Sequence, residues 1–267
     1  MFTRIYKYNN ELNSYDVIKF LAIITMIIDH IGYYLVENNE YLRASGRLAA
    51  PLFFFITGYV SNYQIKLAIL VYGVIITAIF FYFHDNLYIN ILLVFASIKW
   101  ILARWQPEKA RTVTLMSIFG LIYVFSSISR HFIDYGLLGF AYALIGRLKA
   151  TGFKSWFAAM MMLSTFLVQM LNIIISNDNI YVVAIVYVVA ILLFLTVLLF
   201  RYQVIKVNSI ALKNSVLVFS RYSLEIYFWH ILLLELTMRM NFFNFTVITS
   251  SITTLHLPHD FAGGRIL

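Results

Sequence analysis

Cysteine is absent from the 267 residues of this chain, and charged residues are scarce. Without cysteine the chain has no disulfide bond, thiolate metal site or cysteine nucleophile, so any chemistry must use nitrogen or oxygen groups. Charged residues make up 12% of the sequence and hydrophobic residues 62%, and the mean hydropathy is +0.83. A soluble fold could not cover that much apolar surface with so few charges, so the sequence predicts an integral membrane protein.

The apolar runs approach the roughly 20 residues that a membrane-spanning helix needs, and short polar segments separate them. We predict an all-α protein with a single polytopic domain over residues 1–267, nine to ten transmembrane helices and a short C-terminal tail at 241–267. The first run begins near Ile18 and lacks a small-residue cleavage site, so we expect a retained helix rather than a signal peptide. The predicted spans are 16–36, 48–63, 66–83, 89–104, 112–128, 135–148, 153–175, 180–200 and 222–240, with a doubtful shorter one at 209–219.

The basic residues fall mostly in alternate connecting segments, which is typical of the cytoplasmic side of a membrane protein. This bias accounts for the net charge of +8, so we predict no nucleic-acid partner. The N-terminus is predicted to be cytoplasmic. The residues that set this orientation are Arg4, Lys7, Lys66, Arg104, Lys109, Arg111, Arg147, Lys149, Lys154, Arg201, Lys206, Lys213 and Arg221.

The stretch "MIIDHIGYYL", residues 26–35, places Asp29 and His30 at the end of the first apolar run. At about 100° per residue, Asp16, Lys19 and His30 share a sector of about 60°, and Lys19 lies about 16 Å from His30 along the helix. Ionisable groups at membrane depth usually face the bundle interior or a watery cavity. Two interpretations stay open: an imidazole that serves as a general base, or a helix-end pair that meets water.

Two further stretches carry polar side chains that we expect near the same site. "GRLAAPLFFFITGYV", residues 46–60, places Arg47 across a short hairpin from His30, where it can neutralise an anion or pair with Asp29. "YSLEIYFWHILLL", residues 222–234, carries Tyr227 and His230 on similar helix faces. No H-E-x-x-H motif and no phosphate-binding glycine loop occur, so no metal is predicted. Other polar groups lie at predicted outer ends, where they could line the mouth of a site, although solvated loop ends are the commoner explanation: His84, Asp85, Asn90, Arg130, His131, Asp134 and Tyr135.

These motifs together resemble the TraX family. "DVIKFLAIITMIIDHIGYYL" followed by "GRLAAPLFFFITGYV" is similar to the beginning of TraX proteins, and "INILLVFASIKWIL", "IDYGLLGFAYALIGR" and "EIYFWHILLLEL" are similar to later TraX segments. The resemblance covers about residues 15–235 and is strongest over 16–60. The end motifs also resemble, more distantly, the type-three membrane acyltransferases and relatives of heparan-α-glucosaminide N-acetyltransferase.

The resemblance implies a multi-pass acyltransferase of the bacterial inner membrane. TraX is associated with acetylation of a pilin N-terminus, so the expected donor is acetyl-CoA or another acyl-CoA, and the expected acceptor is an amine or hydroxyl of a protein or an envelope glycan. His30 would be the catalytic base, with Asp29 orienting it or holding Arg47. The residues expected to bind the acyl-CoA donor are Lys19, Asn90, Tyr135 and His230.

A non-enzymatic role is the alternative. In a transporter, a flippase or an accessory subunit of a larger assembly, the same intramembrane ionisable residues would line a path. Transporters often contain internal repeats and broken helices, whereas this sequence shows no repeat and only three prolines, at 51, 107 and 258. Acyl transfer is therefore the favoured prediction.

Overall fold

The first apolar run folds as a long helix, α1 (Ser14–Tyr34), in a computed structural model that describes residues 11–36, 39–60, 62–84, 88–174 and 179–239. Asn13 and Asp16 form a capping box at its start, because the Asn13 side chain accepts from the Asp16 amide and the Asp16 carboxylate accepts from the Asn13 amide. The hydroxyl of Ser220 donates to Asp16 Oδ1 at 2.6 Å. Asp16 therefore anchors the beginning of α1 to a late helix.

The described residues are almost entirely helical, which confirms the predicted all-α class. The non-helical pairing described is limited to two isolated bridges, Asn13 with Val204 and Ile89 with Ile133. After α1 come α2 (Glu40–Gly46), α3 (Ala49–Tyr59), α4 (Leu67–His84), α5 (Ile91–Arg104), a 3-10 turn (Pro107–Lys109), α6 (Thr112–Ser129), α7 (Leu138–Ala150), α8 (Ser155–Ile174), α9 (Ile180–Leu199), α10 (Ile210–Arg221) and α11 (Ser223–Arg239).

Helix length limits how many of these elements can cross a membrane. Within the described ranges, three helices are long and apolar enough: Ser14–Tyr34, Thr112–Ser129 and Tyr181–Leu199. A fourth span results if α10 and α11, which are bent by 73°, count as one. The predicted nine to ten spans are not supported, since helices such as α3, at 11 residues and about 16 Å, are much shorter than a hydrocarbon core of about 30 Å. Arg4, Lys7 and the tail 241–267 lie outside the described residues.

The short helix α3 lies at the centre of the molecule. Its aromatic side chains Phe54 and Phe55 are fully buried, as expected of a helix that is apolar on all faces. It packs backbone to backbone against α7, where a Cβ built on Gly58 would lie 1.7 Å from the carbonyl oxygen of Ala143. The outer helices instead expose apolar side chains such as Val124, which is typical of surfaces that face lipid.

A polar clamp ties the 3-10 turn to α7. The guanidinium of Arg147 donates to both carboxylate oxygens of Glu108, at 3.0 and 2.5 Å, and to the hydroxyl of Tyr63 at 3.0 Å. Burial by itself would raise the pKa of the Glu108 carboxyl, but the hydrogen bonds and charge of Arg147 outweigh it and hold that pKa below its usual value. The charged form of Glu108 is therefore the one that stabilises the fold.

We expect Glu108→Gln to lower stability by roughly 1 kcal/mol at neutral pH and by less in acid. Because the folded-state pKa is depressed, the contribution of Glu108 is complete above its unfolded value and disappears as pH falls through the folded value. Melting temperatures of the wild type and variant should therefore converge as pH falls through the depressed folded-state pKa of Glu108. Glu40→Gln, at an exposed carboxylate, is the matched control. A gap between wild type and Glu108→Gln that widened in acid would contradict this account.

Candidate functional site

Two histidines from opposite ends of the described chain meet in the interior. Nδ1 of His30, on α1, lies 2.5 Å from Nε2 of His230, on α11, and the rings stack with centroids 4.8 Å apart. The rings of Tyr34 and Tyr227 pack against His30 at centroid distances of 6.3 and 6.4 Å. The imidazole of His30 is thus held in one orientation by its neighbours.

The hydrogen bonds of His230 assign the tautomers of the pair. Nδ1 of His230 lies 2.7 Å from the carbonyl oxygen of Ile226, which can only accept, so this nitrogen carries the proton. In a neutral ring Nε2 of His230 is then an acceptor, and Nδ1 of His30 must donate to it. Nε2 of His30 is left with the lone pair, which is the state a general base requires.

Asn90 supports this pair through Tyr227. Its side-chain oxygen caps α5 by accepting from the amide of Leu92 at 2.9 Å, and its side-chain nitrogen donates to the hydroxyl of Tyr227 at 3.0 Å. Asn90 is 5% exposed, so both hydrogen bonds are shielded from water. The side-chain amide of Asn90 therefore fixes both the start of α5 and the ring of Tyr227, which packs against His30.

The short helix α2 places cations beside Asp29. A Cβ built on Gly46 would lie 2.3 Å from Cβ of Asp29, so the end of α2 approaches α1 as closely as a glycine allows. The charges of Arg47 and Arg43 both act on Asp29. Among the described residues, Oδ1 of Asp29 is buried without a hydrogen-bond partner. Asp29 therefore interacts with the charges of the two arginines. His230, rather than Asp29, is hydrogen-bonded to His30 and orients it.

The loop between α6 and α7 completes the site. Hydrogen bonds from Ile89 to the carbonyl of Phe132 and from Asp134 to the carbonyl of Ile89 hold it against the start of α5. Tyr135 has φ of 60°, a strained conformation for a bulky residue, and its hydroxyl is hydrogen-bonded by Arg47. Burial raises the pKa of Asp134 to about 6, although a hydrogen bond from the backbone of Ile91 and the charge of Arg47 oppose that rise.

A cavity of about 1760 Å³ connects these groups. It extends along α1, since Lys19 and His30 both line it, and these residues lie about 16 Å apart on the helix. The predicted site residues that line it are Lys19, Asp29, His30, Arg47, Asn90 and Tyr135. His230 packs on His30 and is not among the described residues that line the cavity, so its position is that of a support for His30 rather than of a donor-binding group.

Sequence reasoning missed several charged residues at this cavity. Arg43 and Lys66 both line the cavity, and neither is among the predicted site residues. Lys99 lies there as well, although it falls inside the predicted span 89–104. A lysine inside an apolar helix is the signal that could have identified it. Within the described ranges, no group of three or more histidine or carboxylate residues is arranged to hold a metal ion.

The chain is similar to a known protein family and to one protein of known sequence. A family model described as TraX protein matches residues 14–236, a range that includes Lys19, His30 and His230. A similar relative is an uncharacterized protein of Rickettsia prowazekii (strain Madrid E), 45% identical over 67 residues. That stretch is 25% of this chain and 27% of the relative, so the match spans about a quarter of the curated protein. No solved structure matches the chain significantly.

Proposed function

This chain belongs to the TraX family, and we propose that it is an integral-membrane acyltransferase that moves an acyl group, acetyl in the simplest case, from acyl-CoA to an amine or hydroxyl. One observation carries the proposal. A single cavity joins a lysine-lined end to His30, whose Nε2 has a lone pair, and to Arg47 beside it. A base, an oxyanion stabiliser and a charged anchor for the donor are the parts that acyl transfer needs.

The proposed reaction uses His30 first as a base and then as an acid. Nε2 of His30 takes the proton of the acceptor N–H or O–H as the acceptor attacks the thioester carbonyl, and Arg47 stabilises the oxyanion that forms. The C–S bond then breaks, and the CoA thiolate takes the proton back from His30. The products are the acylated acceptor and free CoA, so atoms and charge balance.

Asp29 supports an amine as the acceptor. Asp29 lines the cavity, and its Oδ1 atom has no hydrogen-bond partner among the described residues. An ammonium group entering this end would pair with that oxygen, lose one proton to water, and as the neutral amine give the next proton to His30 during its attack. A hydroxyl acceptor, such as that of an envelope glycan, could use the same oxygen as a hydrogen-bond acceptor.

The proposed orientation follows from where acyl-CoA is found. If the N-terminus lies in the cytoplasm of a bacterium, the Lys19 end of the cavity opens to the cytosol, which contains acyl-CoA, and the His30 end lies towards the outer surface. The acceptor would then approach from the outer side.

We expect acetyl-CoA to raise the melting temperature of the protein purified in detergent. A ligand that binds only the native state, at a concentration of about 100 times its Kd, stabilises that state by about 2.7 kcal/mol. Incubation with acetyl-CoA labelled on the acetyl group should also release labelled product slowly, since water can replace the missing acceptor. Free acetate at the same concentration is the control ligand.

The same experiment separates acyl transfer from transport. Stabilisation together with loss of the thioester supports the enzyme. Absence of both, across several acyl chain lengths, would overturn the proposal and leave a permeation path or a purely structural histidine pair. That second role would be examined by solute uptake into vesicles containing the protein.

A further inference from the structure

Three lysines from separate segments meet at the end of the cavity opposite His30. Lys19 lies on α1, Lys66 precedes α4 and Lys99 lies on α5, and all three line the cavity. The charges of Lys19 and Lys66 both act on Lys99. The three ammonium groups are thus close enough to repel one another, although the sequence separates them by tens of residues.

Lys99 is held in this position by the chain that follows α3. Its Nζ donates to the backbone carbonyl of Gln64 at 3.3 Å, and the side chain of Asn62 accepts from the amide of Gln64 at 3.0 Å. Asn62 and Gln64 line the cavity beside the lysines. The non-helical segment 62–66 therefore brings polar groups as well as Lys66 to this end.

Such an arrangement of like charges favours an anionic ligand. Lys99 is only partly exposed, so its charge is incompletely solvated, and its charged neighbours add repulsion. Asp16 also lines this end, but its carboxylate accepts from Ser220 and from the amide of Asn13. Groups of like charge in a cleft raise the local concentration of ligands of opposite charge.

We propose that Lys19, Lys66 and Lys99 bind the phosphate groups of the nucleotide half of the acyl-CoA donor. This inference rests on the proposed acyl transfer and adds a binding site to it. A donor anchored there must reach towards His30, which lies about 16 Å from Lys19 along α1. An elongated arm between phosphates and thioester suits that geometry, whereas a compact acyl phosphate does not.

Equilibrium binding of two fragments to the full-length protein in detergent tests the site. The first is 3′-phosphoadenosine 5′-diphosphate, which holds the phosphates of CoA, and the second is S-acetylpantetheine, which lacks them. We expect Lys66→Met and Lys99→Met each to weaken binding of the first fragment about tenfold, because a hydrogen bond to a charged group contributes roughly that much. Binding of the second fragment should not change. Lys109→Met, at an exposed lysine of the 3-10 turn, is the matched control.

The outcomes of this experiment separate the two proposals. Equal binding of the nucleotide fragment by the wild type and both lysine variants overturns the phosphate site, even if the wild type transfers acyl groups. Weakened nucleotide binding without any acyl transfer supports the site and removes the proposed reaction. A second arm measures binding of phosphatidylglycerol to the same proteins in nanodiscs. If the lysine variants lose binding of that lipid but keep binding of the nucleotide fragment, the site recognises a lipid headgroup and the inference is overturned.

Discussion

Replacing His30 by alanine is expected to lower acyl transfer by about 100-fold or more while the protein remains folded in the membrane. A positioned general base contributes about 10²–10⁴-fold to a reaction rate, and His30 is the base proposed here. Its Nδ1 donates to His230, so Nε2 has the lone pair that accepts a proton. Label release from acetyl-CoA, measured for the wild type and His30→Ala at equal protein concentration, gives this ratio.

Two further variants show whether the loss is specific. His131→Ala removes an exposed histidine of the loop between α6 and α7 and should leave the rate unchanged. His230→Ala should lower kcat by less than His30→Ala does and leave the KM for acyl-CoA near its original value, because His230 supports His30 without lining the cavity. Undiminished turnover in His30→Ala would exclude His30 as the base, whatever the donor affinity.

Gly58→Ala is expected to cause the largest loss of stability, about 3 kcal/mol or more. The added Cβ would lie 1.7 Å from the carbonyl oxygen of Ala143, which is backbone, so α3 and α7 would have to move apart. These helices form the centre of the molecule, and Arg47 and Tyr135 lie in the segments that precede them. Displacement of α3 from α7 should therefore also reduce donor binding.

The fraction of protein that stays monodisperse after heating, followed by size-exclusion chromatography in detergent, measures the effect. Gly120→Ala is the matched control, since Gly120 also lies within a helix but an added Cβ there meets nothing within 4 Å. That variant should be unchanged or more stable by up to about 1 kcal/mol, because alanine favours a helix over glycine. Similar melting behaviour of the two alanine variants would show that α3 and α7 do not pack as closely as described.

The local sequence pattern was enough to locate the long apolar helices. The predicted runs 16–36, 112–128 and 180–200 correspond to α1, α6 and α9 within about two residues at each end. Apolar continuity and polar interruptions are properties of neighbouring residues, so they can be read along the chain. The seven-residue helix α2 was not predicted, because its polar sequence "EYLRASG" carries no apolar period. That helix is the element that brings Arg43 and Arg47 to Asp29.

The number of membrane-spanning helices could not be predicted from the apolar runs alone. Helices α3, α5 and α7, at 11, 14 and 13 residues, are apolar but short, and α3 is surrounded by other helices. A buried core helix and a membrane span have the same kind of composition. Burial in the folded chain distinguishes them: the side chains of Phe54 and Phe55 on α3 are fully buried by neighbouring helices, and no pattern along the chain shows which helices those are.

The sequence by itself determined the all-α membrane character, the likeness to the TraX family and the identity of His30, Arg47 and Lys19 as residues of interest, since each depends on residue type and local spacing. Only the tertiary structure decided their partners. His30 meets His230 across 200 positions of sequence, and Lys99 meets Lys19 across 80. Such contacts depend on how helices cross and which faces they bury, and packing of the whole bundle sets both.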